Sequence, residues 1–353
     1  NNSIFKYNKS KSGGGALLIQ TGDSQAPEDY KVIVNITHTQ FINNRVTGDD
    51  QSGNAWGGAI FVEPSIGLEM KVLHSIFDNN IVFCQHDGSG AAGSAIYIQP
   101  KSPDSWDGIK PIILGQNIIK NNVAEVNSNN MWLDGTIRTG WSTHIINSLF
   151  LGNRLQNNDD QGVGTSAVSF SFNESQGSEP DNLFLNNTLI GNYASLSTGP
   201  THSSTVSFWN SYAVVFNNII WDNGGEYGGV SFQDAKNVKA NAHNNIDNHW
   251  GQDSDLGPNS MSVQPKFKNP SNNNFQLSNS SQLIDMGTKG IEGYNSPQVD
   301  VRGYYRVGEP DIGAYEAGAS KYLLKLADDV DTDFDTTFVK LGQSIKYTIT
   351  TND

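Results

Sequence analysis

Short runs of apolar residues alternate with polar ones along this chain, and they recur. Two apolar residues, one or two spacers and an Asn appear as Ile4-Phe5-Lys6-Tyr7-Asn8, Gln40-Phe41-Ile42-Asn43-Asn44 and Ile76-Phe77-Asp78-Asn79-Asn80. The phrase returns as Ile118-Ile119-Lys120-Asn121-Asn122, Leu149-Phe150-Leu151-Gly152-Asn153, Leu189-Ile190-Gly191-Asn192 and Ile219-Ile220-Trp221-Asp222-Asn223, with a worn copy at Ile246-Asp247-Asn248. Between its central apolar residues the gaps are 36, 36, 42, 31, 39, 31 and 26 residues. A second phrase lies between the first ones: Gly14-Gly15-Ala16-Leu17-Leu18-Ile19, Gly57-Gly58-Ala59-Ile60-Phe61-Val62 and Gly93-Ser94-Ala95-Ile96-Tyr97-Ile98. It weakens to Thr165-Ser166-Ala167-Val168-Ser169-Phe170, Ser204-Thr205-Val206-Ser207-Phe208 and Gly228-Gly229-Val230-Ser231-Phe232. Small residues followed by β-branched and aromatic ones predict a strand entered through a tight turn. A third strand precedes each Asn phrase, as in Val32-Ile33-Val34-Asn35-Ile36 and Tyr212-Ala213-Val214-Val215-Phe216.

Three short strands per repeat, no helical periodicity and a repeat of roughly 25 to 40 residues predict an all-β right-handed parallel β-helix of about eight coils. At about 4.8 Å per coil the rod is on the order of 35–40 Å long. Variable lengths place insertions after the Asn phrase (45–56, 81–92, 154–164, 193–203) and after the Gly-Gly-Ala strand (20–31, 99–110, 173–182). These two sets are expected to flank that strand and wall a groove. Solenoids put variable loops on binding faces.

The segment after residue 258 changes the picture. It reads Val263-Gln264-Pro265-Lys266-Phe267, Asn274-Phe275-Gln276-Leu277, Ser281-Gln282-Leu283-Ile284-Asp285-Met286-Gly287, Asp300-Val301-Arg302-Gly303 and Pro310-Asp311-Ile312-Gly313-Ala314-Tyr315-Glu316. The repeats resemble those of polymorphic outer-membrane-type proteins and related bacterial surface β-helices. The later phrases resemble the choice-of-anchor Q segment that closes secreted bacterial β-helices. The resemblance implies the fold and an extracellular, cell-surface or secreted setting, without implying one activity. Residues 1–260 are then coils, 261–318 the closing segment and 319–353 a linker with partial strands. In that last part Gly342-Gln343-Ser344-Ile345-Lys346-Tyr347-Thr348-Ile349-Thr350 is similar to the opening strands of Ig-like surface repeats. About 100 residues would be needed for a full sandwich. The chain also opens inside a coil, so a fragment of a larger protein is expected.

Composition narrows the partners. The 353 residues carry 22 Lys+Arg against 36 Asp+Glu, for a net charge of -14. That disfavours nucleic acid, which is held by basic clusters. Charged residues reach only 16%, and 41 Asn fill much of the gap. No apolar run approaches the 18 or so residues of a membrane-spanning helix. The single cysteine, Cys84, allows no internal disulfide.

Candidate chemistry is thin. His38, His74 and His243 each lie three residues before the anchor of a repeat. The same position through all coils reads Asn2, His38, His74, Gln116, Asn147, Asn186, Asn217 and His243. Every one is polar, which predicts a ladder of turn side chains satisfying one another and nearby backbone. A metal at His38 and His74 lacks a third ligand. The Asn pairs tolerate left-handed turns and cap backbone groups. Asp49-Asp50 and Asp159-Asp160 repeat at one insertion site. Neighbouring strand residues point to opposite sides, so neither pair alone makes the two-carboxylate site of a hydrolase.

A polysaccharide lyase needs a base and a cation to hold the developing enolate. Lys101, Lys110, Arg138, Arg154 and His144 are candidates for these roles, Arg138 lying near Trp132 and Trp141. Trp56, Trp106, Trp132 and Trp141, with Arg138, form the expected carbohydrate-binding set, because aromatic faces suit sugar rings. The structural alternative is that each Trp pins its own loop. Asp329, Asp331, Asp333 and Asp335 alternate in an acidic run whose oxygens would suit Ca2+, the one cofactor in view, and a solvated linker is the competing reading. The lead expectation is a non-enzymatic structural or adhesive β-helix contacting an extracellular glycan or surface protein. A lyase is the alternative. Self-association through exposed β edges is the third.

Overall fold

Turning the chain sharply between short strands requires residues that accept positive φ, and the polar rows of the sequence supply them. The computed structural model describes residues 1–21, 31–48, 53–84, 89–100, 109–126, 132–157, 164–172, 181–196, 204–224, 229–235, 237–247, 257–319, 321, 326–327 and 336–337. Asn2, His38, His74, Gln116, Asn147, Asn186, Asn217 and His243 all have φ between 49° and 59°. Five residues later a second corner forms at Tyr7, Asn43, Asn79, Asn121, Gly152, Gly191 and Asp222, again with positive φ. Asn and Gly bear this conformation most cheaply. The two corners isolate a strand of two or three residues in each coil.

These strands stack in parallel as an eight-stranded sheet, A: Ile4–Lys6, Gln40–Ile42, Ile76–Asp78, Ile118–Lys120, Leu149–Leu151, Thr188–Ile190, Ile219–Trp221 and Asn245–Ile246. Coils are numbered by these strands. Sheet E enters the first corner, from Val32–Thr37 to Asn237–Ala242. Sheet B leaves the second, from Lys9–Ser10 to Tyr193–Leu196. Sheet C holds Ala55–Trp56, Gly90–Ala92 and Trp132–Asp134, and sheet D runs from Leu17–Gln20 to Val230–Asp234. Every rung in these five sheets pairs with the next coil in parallel. The molecule is a parallel β-helix, as expected.

The expectation of three strands per repeat is corrected to as many as five. Much of what reads as insertion after the Asn phrase is strand. Val46, Val82, Ala124 and Leu155 of sheet B face Ala55, Ala91 and Leu133 of sheet C in a small second core. Strands of two to four residues are too short for their alternation to register in the sequence. The Gly-Gly phrase divides this core from the main one. Gly57 has φ +64°, and a Cβ on Gly58 would stand 2.1 Å from the Ser94 carbonyl oxygen of the next coil. The main core collects the inward residues of sheets A, D and E, with stacked rings Phe5–Phe41–Phe77 at 5.1 and 4.8 Å.

The residue after each corner is the structural key. Asn8, Asn44, Asn80, Asn122, Asn153, Asn192 and Asn223 form one ladder. Each Oδ1 accepts from the backbone N–H and Nδ2 of the preceding rung, as Asn153 does from Asn122 at 3.0 and 2.9 Å. Each Nδ2 also donates back to a sheet A carbonyl, Asn153 to Ile119 at 2.9 Å. A second ladder at the first corner runs Thr39, Ser75, Asn117, Ser148, Asn187, Asn218 and Asn244. Corner N–H groups would otherwise be buried without partners.

Residues 257–263 add a last partial rung, with Met261 paired to Asn245. The chain then folds back along the outside of sheets A and E. Phe275, Val301 and Ala314 bury the outward Leu149 and Leu151, and Leu277, Leu283 and Ile312 bury Ile219. The first-corner row therefore does more than satisfy itself. Gln116 donates to the Asp300 carbonyl at 3.0 Å, Asn147 to Val299 at 2.6 Å and Asn217 to Thr288 at 2.8 Å. In coils 2 and 3 the row carries His38 and His74, whose rings stack at 4.9 Å. A knot of charge fastens this strap. The fully buried Arg306 pairs with Glu316 at 2.9 Å and donates to Asn147 Oδ1 at 2.9 Å, and Arg302 pairs with Asp300.

Replacing one ladder Asn tests this account. Asn153→Ala strands the Asn122 N–H, the Ile119 carbonyl and part of Asn192, each costing about 1–3 kcal/mol when buried and unsatisfied. We expect a loss on the order of 3 kcal/mol by urea unfolding. Asn43→Gly, at an exposed positive-φ corner, is expected to change the midpoint little.

Candidate functional site

Outward side chains of sheet D form rows along the rod, because each strand alternates inside and outside. One row, fixed by the strand register, is Leu18, Phe61, Tyr97, Arg138, Ser169, Ser207 and Ser231. A parallel row includes Gln20, Glu63, Ser171 and Trp209. At one end the indole of Trp56, half-buried on sheet C, stacks on the Tyr97 ring at 4.9 Å and 19°. Phe61 meets the same ring edge-on at 5.4 Å. Three coils further on Trp209 is 45% exposed. That separation is about 15 Å along the rod.

Between these aromatics lies Arg138. It is only 8% exposed and forms an ion pair with Asp134, itself buried. Its Nη2 donates to Ser171 Oγ at 3.1 Å. Burial raises the Tyr97 phenol above its usual pKa, and the neighbouring Arg138 pulls it back. The guanidinium is thus committed to the protein itself. Trp141 is 1% exposed and belongs to the main core. Its expected place on a sugar-facing groove is corrected: the ring packs inward, where an indole buries most apolar area.

Trp56 lies as expected beside the Gly-Gly turn. The backbone of Trp132 pairs with Gly90 in sheet C. Trp106, Lys101, the paired Asp residues 49–50 and 159–160, and Asp329, Asp331, Asp333 and Asp335 lie outside the described residues. So do most of the loops expected to wall the groove; its floor is what the structure describes. Trp209 was missed by the sequence reading. Its signal was present, an aromatic directly after Val206-Ser207-Phe208, in a position that alternation turns outward.

The described lyase candidates are not brought together. Arg138 is on sheet D. Arg154 is on sheet B, over the Tyr193 ring at 5.0 Å. Lys110 and His144 belong to the far flank, at sheet E. Burial lowers the His144 pKa to about 4, against a smaller upward pull from Asp181, so the ring is neutral at pH 7. Asp181 pairs with Lys239 at 2.6 Å and accepts from the Tyr294 hydroxyl, pinning the strap to sheet E.

Among the described residues one group could offer three metal ligands: Asp285, Asp311 and Glu316, with oxygens within 4.8 Å of one another. Those of Asp311 and Glu316 already accept from Arg306 and from backbone N–H groups of Asp285, Val307 and Asp311. Burial and Asp311 push Glu316 up to about 7. The group is part of the strap's own knot.

Comparisons with protein-family models, curated proteins and solved structures return no match to this chain.

Two outcomes follow. Arg138→Ala leaves Asp134 buried without its charge partner, and we expect a loss of about 3–5 kcal/mol in urea unfolding. His144 has a folded pKa below its unfolded value of 6.5. Its contribution is therefore complete above pH 6.5 and lost as pH falls toward 4, by up to about 3 kcal/mol. Urea titrations at pH 7 and 4.5 should show a smaller acid-induced loss for His144→Leu than for the parent chain.

Proposed function

We propose that this chain is a secreted or cell-surface module that contacts a neutral glycan on the outer face of sheet D without turning it over. The carrying observation is the layout of that face. An exposed Trp209 and the half-buried Trp56, stacked on the buried Tyr97, stand about three coils apart, with the partly exposed Ser207 between them. Flat aromatic faces bind sugar rings, and hydroxyls exchange hydrogen bonds with theirs. The one arginine on this floor is neutralised by Asp134, so it is poorly placed to hold an enolate or a uronate. The net charge of -14 further disfavours an acidic polymer. A solenoid repeats the same face at each coil, which suits an extended polymer better than a compact ligand.

The test is a glycan array followed by calorimetry on the best neutral oligosaccharide. Trp209→Ala should weaken binding about tenfold, the scale of one lost aromatic contact of roughly 1.4 kcal/mol, with an unchanged unfolding midpoint. Absorbance for unsaturated uronates should stay flat on acidic polymers, with or without Ca2+. Failure to bind any glycan, or Trp209→Ala binding as tightly as the parent, sinks the reading. A rise in absorbance replaces it with the lyase.

A further inference from the structure

The flank made by sheets A and E carries the strap on coils 4 to 8 and is open on coils 1 to 3. Ile4 and Ile33 are 65% and 59% exposed there, and the outward row of Ile4 becomes buried under the strap farther along, at Leu149. The first-corner row continues as well, from Gln116 and Asn147, which hold strap carbonyls, to His74 and His38, which stack on each other. The strap reaches the boundary. Asp300 bonds Gln116, and Gly303 lies beside Gln116 and His74.

This open part is basic in an acidic chain. Its described residues include Lys6, Lys31 and Lys71, with Lys110 and Lys120 at its coil 4 edge, against Glu69 and Asp78. Lys31 pairs with Glu69 at 2.8 Å, and Lys120 with Asp78 at 3.2 Å. Lys71 and Lys110 also act on Glu69, helping Lys31 hold its carboxyl below the usual range. Lys6, Lys71 and Lys110 are left as exposed excess cations on a face of a molecule with net charge -14.

We propose that this basic stretch is the docking surface for the chain's own acidic run, Asp328-Asp329-Val330-Asp331-Thr332-Asp333-Phe334-Asp335, which lies in sequence between the antiparallel pair Leu326–Ala327 and Thr336–Thr337. Two observations select this occupant. The surface continues an interface that already holds an extended segment of the same chain. Its excess positive charge also complements five aspartates in eight residues. Reach is not limiting. Glu316 N–H bonds Asp300 near coil 4, and the ten residues from Ala319 to Asp328 can span about 30 Å, against about 10 Å from coil 4 to coil 2. Surface ion pairs are individually weak, but a tethered segment meets its site at millimolar effective concentration. The contact is therefore salt-sensitive and intramolecular.

Zero-length carbodiimide crosslinking of the full chain, at low and high salt, decides the matter. After separation by size, peptides are identified by mass spectrometry. Lys71 or Lys110 joined to Asp328–Asp335 within the monomer band, at least fivefold less at 0.5 M NaCl, is the expected result. The yield should also fall in Lys71→Gln/Lys110→Gln, an exposed double variant that leaves the core untouched. The same crosslink confined to the dimer band would mean that a second copy is the occupant and would overturn the proposal. So would crosslinks from these lysines only to other carboxylates, or none.

Discussion

One buried hydrogen-bonding group sets the geometry of this molecule. A ladder asparagine sits just inside a left-handed corner, where the backbone N–H groups cannot join a sheet. Its side-chain oxygen takes the corner N–H of the coil on one side, while its amide reaches both neighbouring coils. Strand spacing and side-chain length match, so the same residue serves every coil. Exposed corners tolerate Tyr7, Asn43, Gly152 or Asp222, because only φ matters there. Buried positions tolerate only a short acceptor: Asn throughout the second corner, Thr, Ser or Asn at the first. The aromatic stack of sheet A follows from this register, since each ladder rung places one inward ring above the next.

The same corners shape the exterior. A left-handed residue points its side chain away from the core, so the first-corner row lines the groove between sheets A and E. On coils 4, 5 and 7 Gln116, Asn147 and Asn217 bond carbonyls of the strap, while Asn186 accepts from Ser296. The strap runs irregularly, and these bonds add to those it makes within itself, such as Val301 N–H to the Ala314 carbonyl at 2.9 Å. Buried charge does the remaining fastening. Arg306 touches Glu316, Asn147 and Gly313 together, and it ties strap to coil. Taking a guanidinium and a carboxylate out of water is costly, which is why burial raises Glu316 and lowers Arg306. Such a knot holds geometry more than it adds stability.

The coil count, the sheet A strands and the corner rows were all legible, because each depends on one residue type at a recurring position. Sheets B and C were not. Their strands have two to four residues, and Val46, Val82, Ala124 and Leu155 differ in size enough to hide a shared role. The first-corner ladder was hidden for another reason: Thr39, Ser75 and Asn117 are chemically equivalent acceptors but look unlike in sequence. The site was legible only in part. Trp141 and Trp56 read alike, as indoles beside a turn, yet one is core and the other half-exposed, and only the register of sheets C and D separates them. Arg138 read as a groove cation because Asp134, four residues earlier, gave no sign of lying on the same face.

Two faces of the rod thus carry different chemistry. The flank of sheets A and E presents backbone-binding amides, aliphatic rows and lysines, a surface made for polypeptide, and the chain itself supplies most of that polypeptide. Sheet D presents the exposed Trp209 and the Trp56–Tyr97 stack beside a buried ion pair. A polypeptide laid there would find few donors for its carbonyls. A sugar polymer needs no such donors in register, because its hydroxyls both give and accept and its ring faces seek aromatic ones. The proposed glycan contact on sheet D and the proposed peptide contact on the flank of sheets A and E both rest on what each face can satisfy.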